Sequence, residues 1–405
     1  MRKFILITAM AVLAFLPLRQ AESVDSTQYW MKISAADKFQ RSLVADTGVA
    51  IEAIADDYVT AVGNLEELKH LRERGLKVDV SFPLTAKMNF PPQDQEFHDY
   101  GELTAELRSL ESRYPNLVKV FSIGKTVENR DIWAMRISGD LAHADQLPGI
   151  IFMAGHHARE HLSVETPLRI WMNLLERYAN GDERVRRLID GRDIHFIPAV
   201  NPDGLEYDIE GGRYHMWRKN RRLNADGTYG IDLNRNYGYK WGTGGASASP
   251  GSETFRGPTP FSEPETQAVK NHIEAHQNIT VLLSFHTFSK LILYPWGWSY
   301  DGVENARDKA VHETMAKKMA EWNGYTPQQS SELYVSSGDT NDWSYGEYKM
   351  ISFTFELDPA SMWNGGFYPG AGVIPEVVNK NTEPVLYLLE YADNPYRVLE
   401  ADPVF

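Results

Sequence analysis

Three histidines, an arginine and two glutamates lie within eleven residues of the chain, in GHHAREHLSVE at residues 155–165. His157 and Glu160 are three positions apart, so one turn of chain can direct both side chains at a single ion. A catalytic zinc ion usually takes three protein ligands and keeps a further position for water. The spacing therefore indicates a metal site, with His156 and His161 as competing ligands.

Other polar side chains follow apolar runs that are typical of buried strands. TVLLSF ends at His286, ISFTF ends at Glu356, and the run at residues 193–200 leads into Asn201 and Asp203. In α/β sheets, ligands bind outside the carboxyl ends of the strands, so these side chains are expected to converge. We expect His286 to supply the third metal ligand from its own strand.

Glu356 allows two interpretations. A carboxylate at the end of an apolar strand must be used or paired, because desolvation makes a free buried charge costly. Beside an activated water molecule it could accept a proton as general base. A buried structural ion pair fits the same position equally well.

Two segments rich in arginine and asparagine, MWRKNRR at 216–222 and IDLNRNYG at 231–238, could form a clamp. Arginine binds a carboxylate through two parallel hydrogen bonds, and asparagine adds orientation. From these residues alone, a solvated basic loop is the better interpretation.

The elements that must position these side chains alternate between strand and helix in the larger, C-terminal part of the chain. This order predicts an α/β domain with a mixed, mostly parallel central sheet flanked by helices. Continuous apolar runs at residues 148–155, 280–285 and 350–357 are typical of strands buried on both faces. A helix is predicted over residues 164–180, with Ser163 as its N-terminal cap.

The N-terminus begins with Arg2 and Lys3, followed by an apolar run of about fourteen residues and then small residues. This pattern predicts a signal peptide over residues 1–23. A membrane anchor is the alternative, but the run is shorter than the roughly 20 residues that span hydrocarbon.

Residues 24–92 are predicted to form a small α+β pro-segment followed by a linker rich in proline and glutamine. Residues 58–62 have a strand pattern, and Asn64 can cap a helix with Glu67 three positions later. An ordinary N-terminal subdomain is the alternative. We assign residues 93–395 to one large domain and residues 396–405 to a C-terminal tail.

The composition excludes some classes of function. The chain has 405 residues, a formal net charge of −14 and no cysteine. Nucleic acid is not an expected partner, because phosphate binding needs concentrated lysine and arginine. Without disulfides, the predicted export fits a bacterial-type secreted or periplasmic protein.

Several ordered motifs resemble those of zinc metallocarboxypeptidases of the pancreatic carboxypeptidase A/B type, nearest in pattern to the secreted bacterial T-type enzymes. The resemblance covers roughly residues 95–395. The motifs are HxxE at 157–160, NPDG at 201–204, WRK at 217–219, NRN at 234–236, SFHTFSKLILYPWG at 284–297, YVSSGDTNDWSYG at 334–346 and FTFEL at 353–357.

The resemblance implies a metal and catalytic set. His157, Glu160 and His286 are similar to the family's zinc ligands, which implies one Zn²⁺ per chain. Glu356 resembles the catalytic glutamate, and Arg218 resembles the arginine that stabilises the oxyanion.

It also implies a substrate-binding set. Asn234 and Arg235 resemble the pair that holds the C-terminal carboxylate of the substrate, and Tyr334 resembles the mobile tyrosine that closes over it. Asp232 resembles the carboxylate that orients the first zinc histidine. Arg159 stands where the family has a further substrate-contacting arginine.

Two departures and one match concern the contacts with substrate. Asn341 stands where relatives that select lysine or arginine often have aspartate, and Phe288 replaces a common tyrosine. Asp339 is acidic and close to Asn341, as in the T-type enzymes that accept both apolar and basic C-terminal residues. We expect hydrolysis of the C-terminal peptide bond with broad specificity: apolar and aromatic C-terminal residues, and also basic ones.

The resemblance further implies a secreted monomer made as a zymogen, with peptide or protein C-termini as substrate and another protease cutting the linker around residues 83–96. No nucleic acid and no membrane partner are expected after removal of the signal peptide. The alternatives are a metal-dependent deacylase or cell-wall amidase, which need not carry Arg235 and Tyr334, and an inactive binder of C-termini, which would be expected to lack Glu356 or a metal ligand.

Overall fold

The structure, a computed structural model, describes residues 28–83, 88–89 and 94–400. The predicted signal peptide lies outside the described residues. So do parts of the predicted linker and the last five residues of the predicted tail.

Residues 28–83 form a small α+β domain, here called the N-terminal domain. Its four antiparallel strands have the order β2-β3-β1-β4 and share a small apolar core with both helices. The second helix begins as predicted, because the Asn64 side chain accepts from the backbone of Glu67 and the Glu67 carboxylate accepts from the backbone of Asn64. The elements are β1 (Gln28–Ser34), α1 (Lys38–Ala45), β2 (Ala50–Ile54), β3 (Tyr58–Asn64), α2 (Leu65–Glu73) and β4 (Val78–Pro83).

Residues 94–400 form one large α/β domain, here called the large domain. A short strand of the linker, β5 (Met88–Asn89), pairs with one of its strands, β10. The other elements are α3 (Tyr100–Arg113), β6 (Val118–Lys125), β7 (Asp131–Ile137), β8 (Gly149–Ala154), α4 (His161–Ala179), α5 (Glu183–Asp190), β9 (Asp193–Ile197), α6 (Pro202–Asp208), β10 (Arg213–Tyr214), α7 (Pro264–Ala275), β11 (Ile279–Thr287), β12 (Leu291–Tyr294), α8 (Ala306–Asn323), β13 (Thr326–Gln329), α9 (Thr340–Tyr348), β14 (Ile351–Leu357) and α10 (Ile374–Tyr391).

Eight strands form the central sheet, in the order β13-β12-β14-β11-β8-β9-β7-β6. The central strands β14, β11, β8 and β9 are parallel, and the pairs β12–β14, β9–β7 and β7–β6 are antiparallel. Helices α3, α4, α8 and α10 share one core with the sheet, and α7 and α9 share the core on its other face. The predicted fold class is confirmed.

The helix that follows β8 begins earlier than predicted. Ser163 is not its cap: α4 begins at His161, and Glu160 holds the capping position. The Ser163 hydroxyl instead donates to the carbonyl of Glu160 at 2.6 Å and accepts from the backbone N–H of Gly155 at 3.3 Å. Ser163 therefore braces the bend that carries the histidine motif.

The C-terminal end of the chain, as far as residue 400, packs on the rest of the large domain. Pro395–Leu399 form a short 3₁₀ helix in which Val398 is buried. The Tyr396 hydroxyl donates to Asp308 at 2.7 Å. The folded domain thus extends past the predicted boundary at residue 395. Among the described residues, no helix combines the length and apolar character needed to cross a membrane.

Candidate active site

The carboxyl ends of β8 and β11 bring the first motif and His286 together. These strands are parallel neighbours, and a bend joins β8 to α4. The Nδ1 atoms of His157 and His286 lie 3.2 Å apart, and Glu160 places its two oxygens 2.7 and 3.0 Å from them. All three side chains are buried.

The outer ring nitrogens of both histidines have partners. Nε2 of His157 lies 3.2 Å from Asp232, and Nε2 of His286 lies 3.1 Å from the Ser284 hydroxyl. These contacts favour the tautomers in which both Nδ1 lone pairs face the centre of the group.

The group fits a zinc ion. At Zn–N distances of about 2.0 Å, tetrahedral ligands lie about 3.3 Å apart, close to the separations observed here. Two imidazoles and a carboxylate form a known ligand set for catalytic zinc. Burial raises the pKa of Glu160, but the charges of His157 and His286 outweigh it and leave that pKa below its ordinary value. Glu160 is therefore ionised, as a metal ligand must be.

The competing histidines have other partners. Nε2 of His156 lies 3.0 Å from the Tyr237 hydroxyl, and its ring stacks on His286. Nε2 of His161 lies 2.9 Å from Asp208. Neither belongs to the group of possible ligands formed by His157, Glu160 and His286.

The three possible ligands His157, Glu160 and His286 are here called the metal group. Glu356 lies beside it because β14 pairs with β11 in parallel, with Glu356 opposite His286. It lines the same cavity as His157 and Glu160. Burial, and then the negative charge of Glu160, raise the pKa of Glu356 well above its ordinary value, although Arg218 counters this. A carboxyl group with a raised pKa in a cavity is suited to accept and return a proton.

Asp232 connects the metal group to Arg218. Its Oδ2 accepts from Nε and from Nη2 of Arg218, each at 3.0 Å, and its Oδ1 faces His157. Burial raises the pKa of Asp232, but the Arg218 and His157 charges hold it well below its usual range. The ionised carboxylate of Asp232 thus positions both His157 and Arg218.

Three more predicted residues, Asn234, Arg235 and Tyr334, line this cavity. The side-chain oxygen Oδ1 of Asn234 accepts from the backbone N–H of Thr340 at 3.0 Å, which fixes the orientation of the amide. Nη1 of Arg235 donates to the carbonyl of Asn234 at 2.8 Å, and its Nη2 lies 3.5 Å from the Tyr334 hydroxyl. The guanidinium of Arg235 is largely buried.

Arg159, Asp339 and Asn341 are not among the residues that line the cavity. Asp339 caps α9 by accepting from the backbone of Asp342 at 2.9 Å, and Asn341 donates to the carbonyl of Leu293 at 3.3 Å. One side-chain oxygen of each, Asp339 Oδ2 and Asn341 Oδ1, is buried without a hydrogen-bond partner among the described residues.

Arg159 is paired with a residue that the sequence analysis missed. Its guanidinium donates to Glu253 at 3.0 Å and also forms a short contact with Glu52 in β2. Glu52 lines the cavity together with its neighbours Ile51, Ala53 and Ile54. The only sequence signal was a single carboxylate in the apolar segment AIEAIA.

Comparison with known proteins agrees with this geometry. Residues 103–384 match the family described as "Zinc carboxypeptidase". The chain is 35% identical to a zinc carboxypeptidase of Saccharothrix mutabilis subsp. capreolus, over 95% of this chain and 94% of that one. It is 32% identical to carboxypeptidase B of Astacus astacus, over 69% of this chain and 91% of that one.

A solved structure supports the fold. Carboxypeptidase A from Helicoverpa armigera superimposes with a TM-score of 0.75 at 23% identity, covering 94% of this chain and all of that one. Because the family match spans more than half of the residues, and the first of these relatives is matched over nearly its full length, the chain belongs to the zinc carboxypeptidase family.

Proposed function

We propose that this zinc carboxypeptidase is exported and made as a zymogen, and that it removes apolar, aromatic and basic residues from peptide C-termini. The observation that carries the proposal is one cavity lined by two of the three proposed metal ligands, His157 and Glu160, together with Glu356, Arg218, Arg235 and Tyr334. Metal, proton acceptor and carboxylate-binding cation thus lie within the reach of one peptide end.

The roles follow from the chemistry of each side chain. His157, Glu160 and His286 would hold zinc, which when bound would supply a Lewis acid able to polarise a carbonyl and to lower the pKa of water. Glu356 accepts a proton from the attacking water and returns it to the leaving amine. Arg218 donates to the developing oxyanion, a contribution often worth about 3 kcal/mol.

Substrate selection depends on a free C-terminus. Arg235 can bind a carboxylate through two hydrogen bonds, and Asn234 lies beside it. Tyr334 closes over the terminal residue. A peptide amide offers no charge to this arginine, and internal peptide bonds have no terminal carboxylate.

The N-terminal domain supports the zymogen proposal. Its strand β2 forms one wall of the cavity. Glu52 of that strand forms an ion pair with Arg159, which we assign to substrate contact. Arg41 of α1 donates to the carbonyls of Glu332 and Leu333 at 2.9 and 2.8 Å.

On the other side of Tyr334, Ser42 accepts from the backbone N–H of Val335 at 2.8 Å. Both flanks of Tyr334 are thus bound to α1. The N-terminal domain therefore fills the path to the metal and restrains the residue that must close over substrate.

The proposed breadth of specificity depends on Asp339 and Asn341, each of which has one buried side-chain oxygen without a hydrogen-bond partner among the described residues. Neither residue lines the cavity as it stands, so a lysine or arginine side chain of the substrate would have to reach past the lining to donate to them. Phe288 lines the cavity with an apolar ring. The export proposal depends on the signal-peptide pattern of residues 1–23 alone.

The test is a panel of peptides ending in Phe, Leu, Lys, Arg or Glu, each with a free or an amidated C-terminus. The trimmed enzyme should cleave the free forms, except those ending in Glu, and leave the amidated forms intact. A zinc chelator should stop the reaction. No cleavage of the Lys and Arg peptides would remove basic residues from the proposal, and cleavage of the amides would contradict the role of Arg235.

The zymogen proposal has its own test. A chain that lacks only the signal peptide is compared with a chain that has also been cut in the linker. A second protease, the proposed activating partner, makes that cut. The trimmed form should be the more active one. Equal activity would contradict the zymogen proposal. The predicted monomer is checked by sedimentation of both forms.

A further inference from the structure

Three histidines outside the active site form a second compact cluster. His195 lies in β9, His272 lies in the last turn of α7, and His276 follows that helix. One ligand nitrogen of each ring lies within 4.8 Å of the others. The ring centroid of His195 lies 4.9 Å from that of His272 and 4.5 Å from that of His276.

The local structure explains why the three rings meet. Side chains alternate across a strand, and Ile194 and Phe196 pack into the core on one face of the sheet. His195 therefore faces the other side, where α7 packs. His272 and His276 are four positions apart, the spacing that places two side chains on one face of a helix.

The distances match those of a metal site. Nδ1 of His195 and Nε2 of His272 lie 3.0 Å apart, while the two active-site histidines approach to 3.2 Å. Tetrahedral zinc requires about 3.3 Å between nitrogens. His276 is half-buried, and its ligand nitrogen lies within 4.8 Å of those of the other two rings.

The other ring nitrogens of His276 and His195 have partners that orient these rings for metal binding. Nδ1 of His276 lies 2.7 Å from the carbonyl of His272, which favours a proton there and leaves Nε2 for a metal. Nε2 of His195 lies 3.1 Å from Asp193, close enough for an ion pair although not aligned as a hydrogen bond. A carboxylate behind a histidine is a common way to orient a metal ligand.

We propose that His195, His272 and His276 bind a second divalent transition-metal ion, with Zn²⁺ as the best match. Imidazole ligands suit zinc, copper and nickel, and exclude calcium and magnesium, which prefer oxygen. The ion would join α7 to β9. Asp193 is bound by Nε and Nη2 of Arg136 at 2.6 and 2.8 Å, so it is not free to act as a base. The second site is therefore structural rather than catalytic.

The test counts zinc in the full chain. Protein stripped with a chelator is dialysed against micromolar Zn²⁺ and analysed by mass spectrometry of the metal. The unmodified chain should hold two zinc ions and the double variant His272→Gln/His276→Gln only one. The double variant should keep its kcat/KM, and the rise in melting temperature caused by zinc should be smaller.

The matched control is His70→Gln/His143→Gln, which removes two exposed histidines and should still hold two ions. A crystal of the unmodified chain soaked in Zn²⁺ gives a readout that does not depend on how a variant folds. Anomalous scattering at the zinc edge should show one peak among the three rings. One zinc ion per unmodified chain, or no peak at that place, would overturn the proposal and leave a pair of hydrogen-bonded neutral rings.

Discussion

The two ends of the central sheet carry histidine clusters that differ in the side chains around them. At the carboxyl ends of β8, β11 and β14, His157 and His286 meet Glu160 and Glu356. His157, Glu160 and Glu356 line a cavity there, together with Arg218. The other cluster lies by the amino-terminal ends of β8 and β11: Asn278, two residues after His276, accepts from the N–H of Gly149 at 2.8 Å.

The difference shows what converts metal affinity into chemistry. Both ends bring imidazole nitrogens to about the same separation. At the end with the cavity, the pKa of Glu356 is raised well above its ordinary value, and no hydrogen bond to an arginine is found for it among the described residues. At the other end Asp193 is committed to Arg136, so a metal there could stabilise the fold but would lack a proton acceptor.

The sharpest test of this difference removes the proton acceptor alone. Glu356→Gln keeps the shape and the metal ligands, so its zinc content should equal that of the unmodified chain. The value of kcat should fall by about 10³-fold or more, because proton transfer and charge stabilisation are both lost. Assays on trimmed enzyme with parallel metal analysis check this. Retention of more than a tenth of the activity would assign the base role elsewhere.

The carboxylates behind the two clusters offer a matched pair. Asp232→Asn should lower zinc affinity and activity by about 10- to 100-fold, because Asp232 orients both His157 and Arg218. Asp193→Asn should leave kcat/KM unchanged but reduce the free energy of unfolding by about 3 kcal/mol, since it leaves Arg136 without its buried partner. Equal effects of the two changes on activity would erase the distinction between the ends.

The N-terminal domain contributes residues 51–54 of β2 to the lining of the cavity, which gives a third test. Arg41→Ala removes the hydrogen bonds to Glu332 and Leu333, so the intact chain should become several-fold more active while the trimmed enzyme stays the same. Arg72→Ala changes an exposed arginine on the other helix of that domain and serves as control. An intact Arg41→Ala chain with unchanged activity would place the restraint on Tyr334 elsewhere.

The smallest expected effect is a dependence of the N-terminal domain on pH. Burial raises the pKa of Glu67 to about 7 from its ordinary 4.5. Folding therefore favours its protonated form. This contribution, about 3 kcal/mol at most, is complete below pH 4.5 and is lost as pH rises through 7.

The N-terminal domain should accordingly unfold more readily at pH 8 than at pH 5, as measured by limited proteolysis of the intact chain. Glu67→Gln should flatten that profile. The same profile in the variant would attribute the pH dependence to another group.

The sequence predicted best where one local rule decides the structure. Asn64 and Glu67 form the capping box that their spacing indicates, and the apolar runs before His286 and Glu356 are buried strands. The start of α4 was misplaced, because Ser163 braces a bend by donating its hydroxyl, a role that its residue type does not distinguish from capping.

Long-range pairing was beyond the reach of the sequence. Glu52 lies 107 positions before its partner Arg159, and His195 and His272 are 77 positions apart. Neither pair lies in one element, and single residues of these types are common on surfaces. Only the docking of the N-terminal domain and the packing of α7 on the sheet bring them together.

The attachment of α1 to both sides of Tyr334 gives the proposed zymogen a kinetic consequence. Cutting the linker would break neither the hydrogen bonds that Arg41 donates to this loop nor the one that Ser42 accepts from it. After scission the freed fragment would persist as a tight, non-covalent ligand, and activity would emerge at the pace of its dissociation. A lag that shortens on dilution, long after electrophoresis shows complete cleavage, would be the signature of such delayed release.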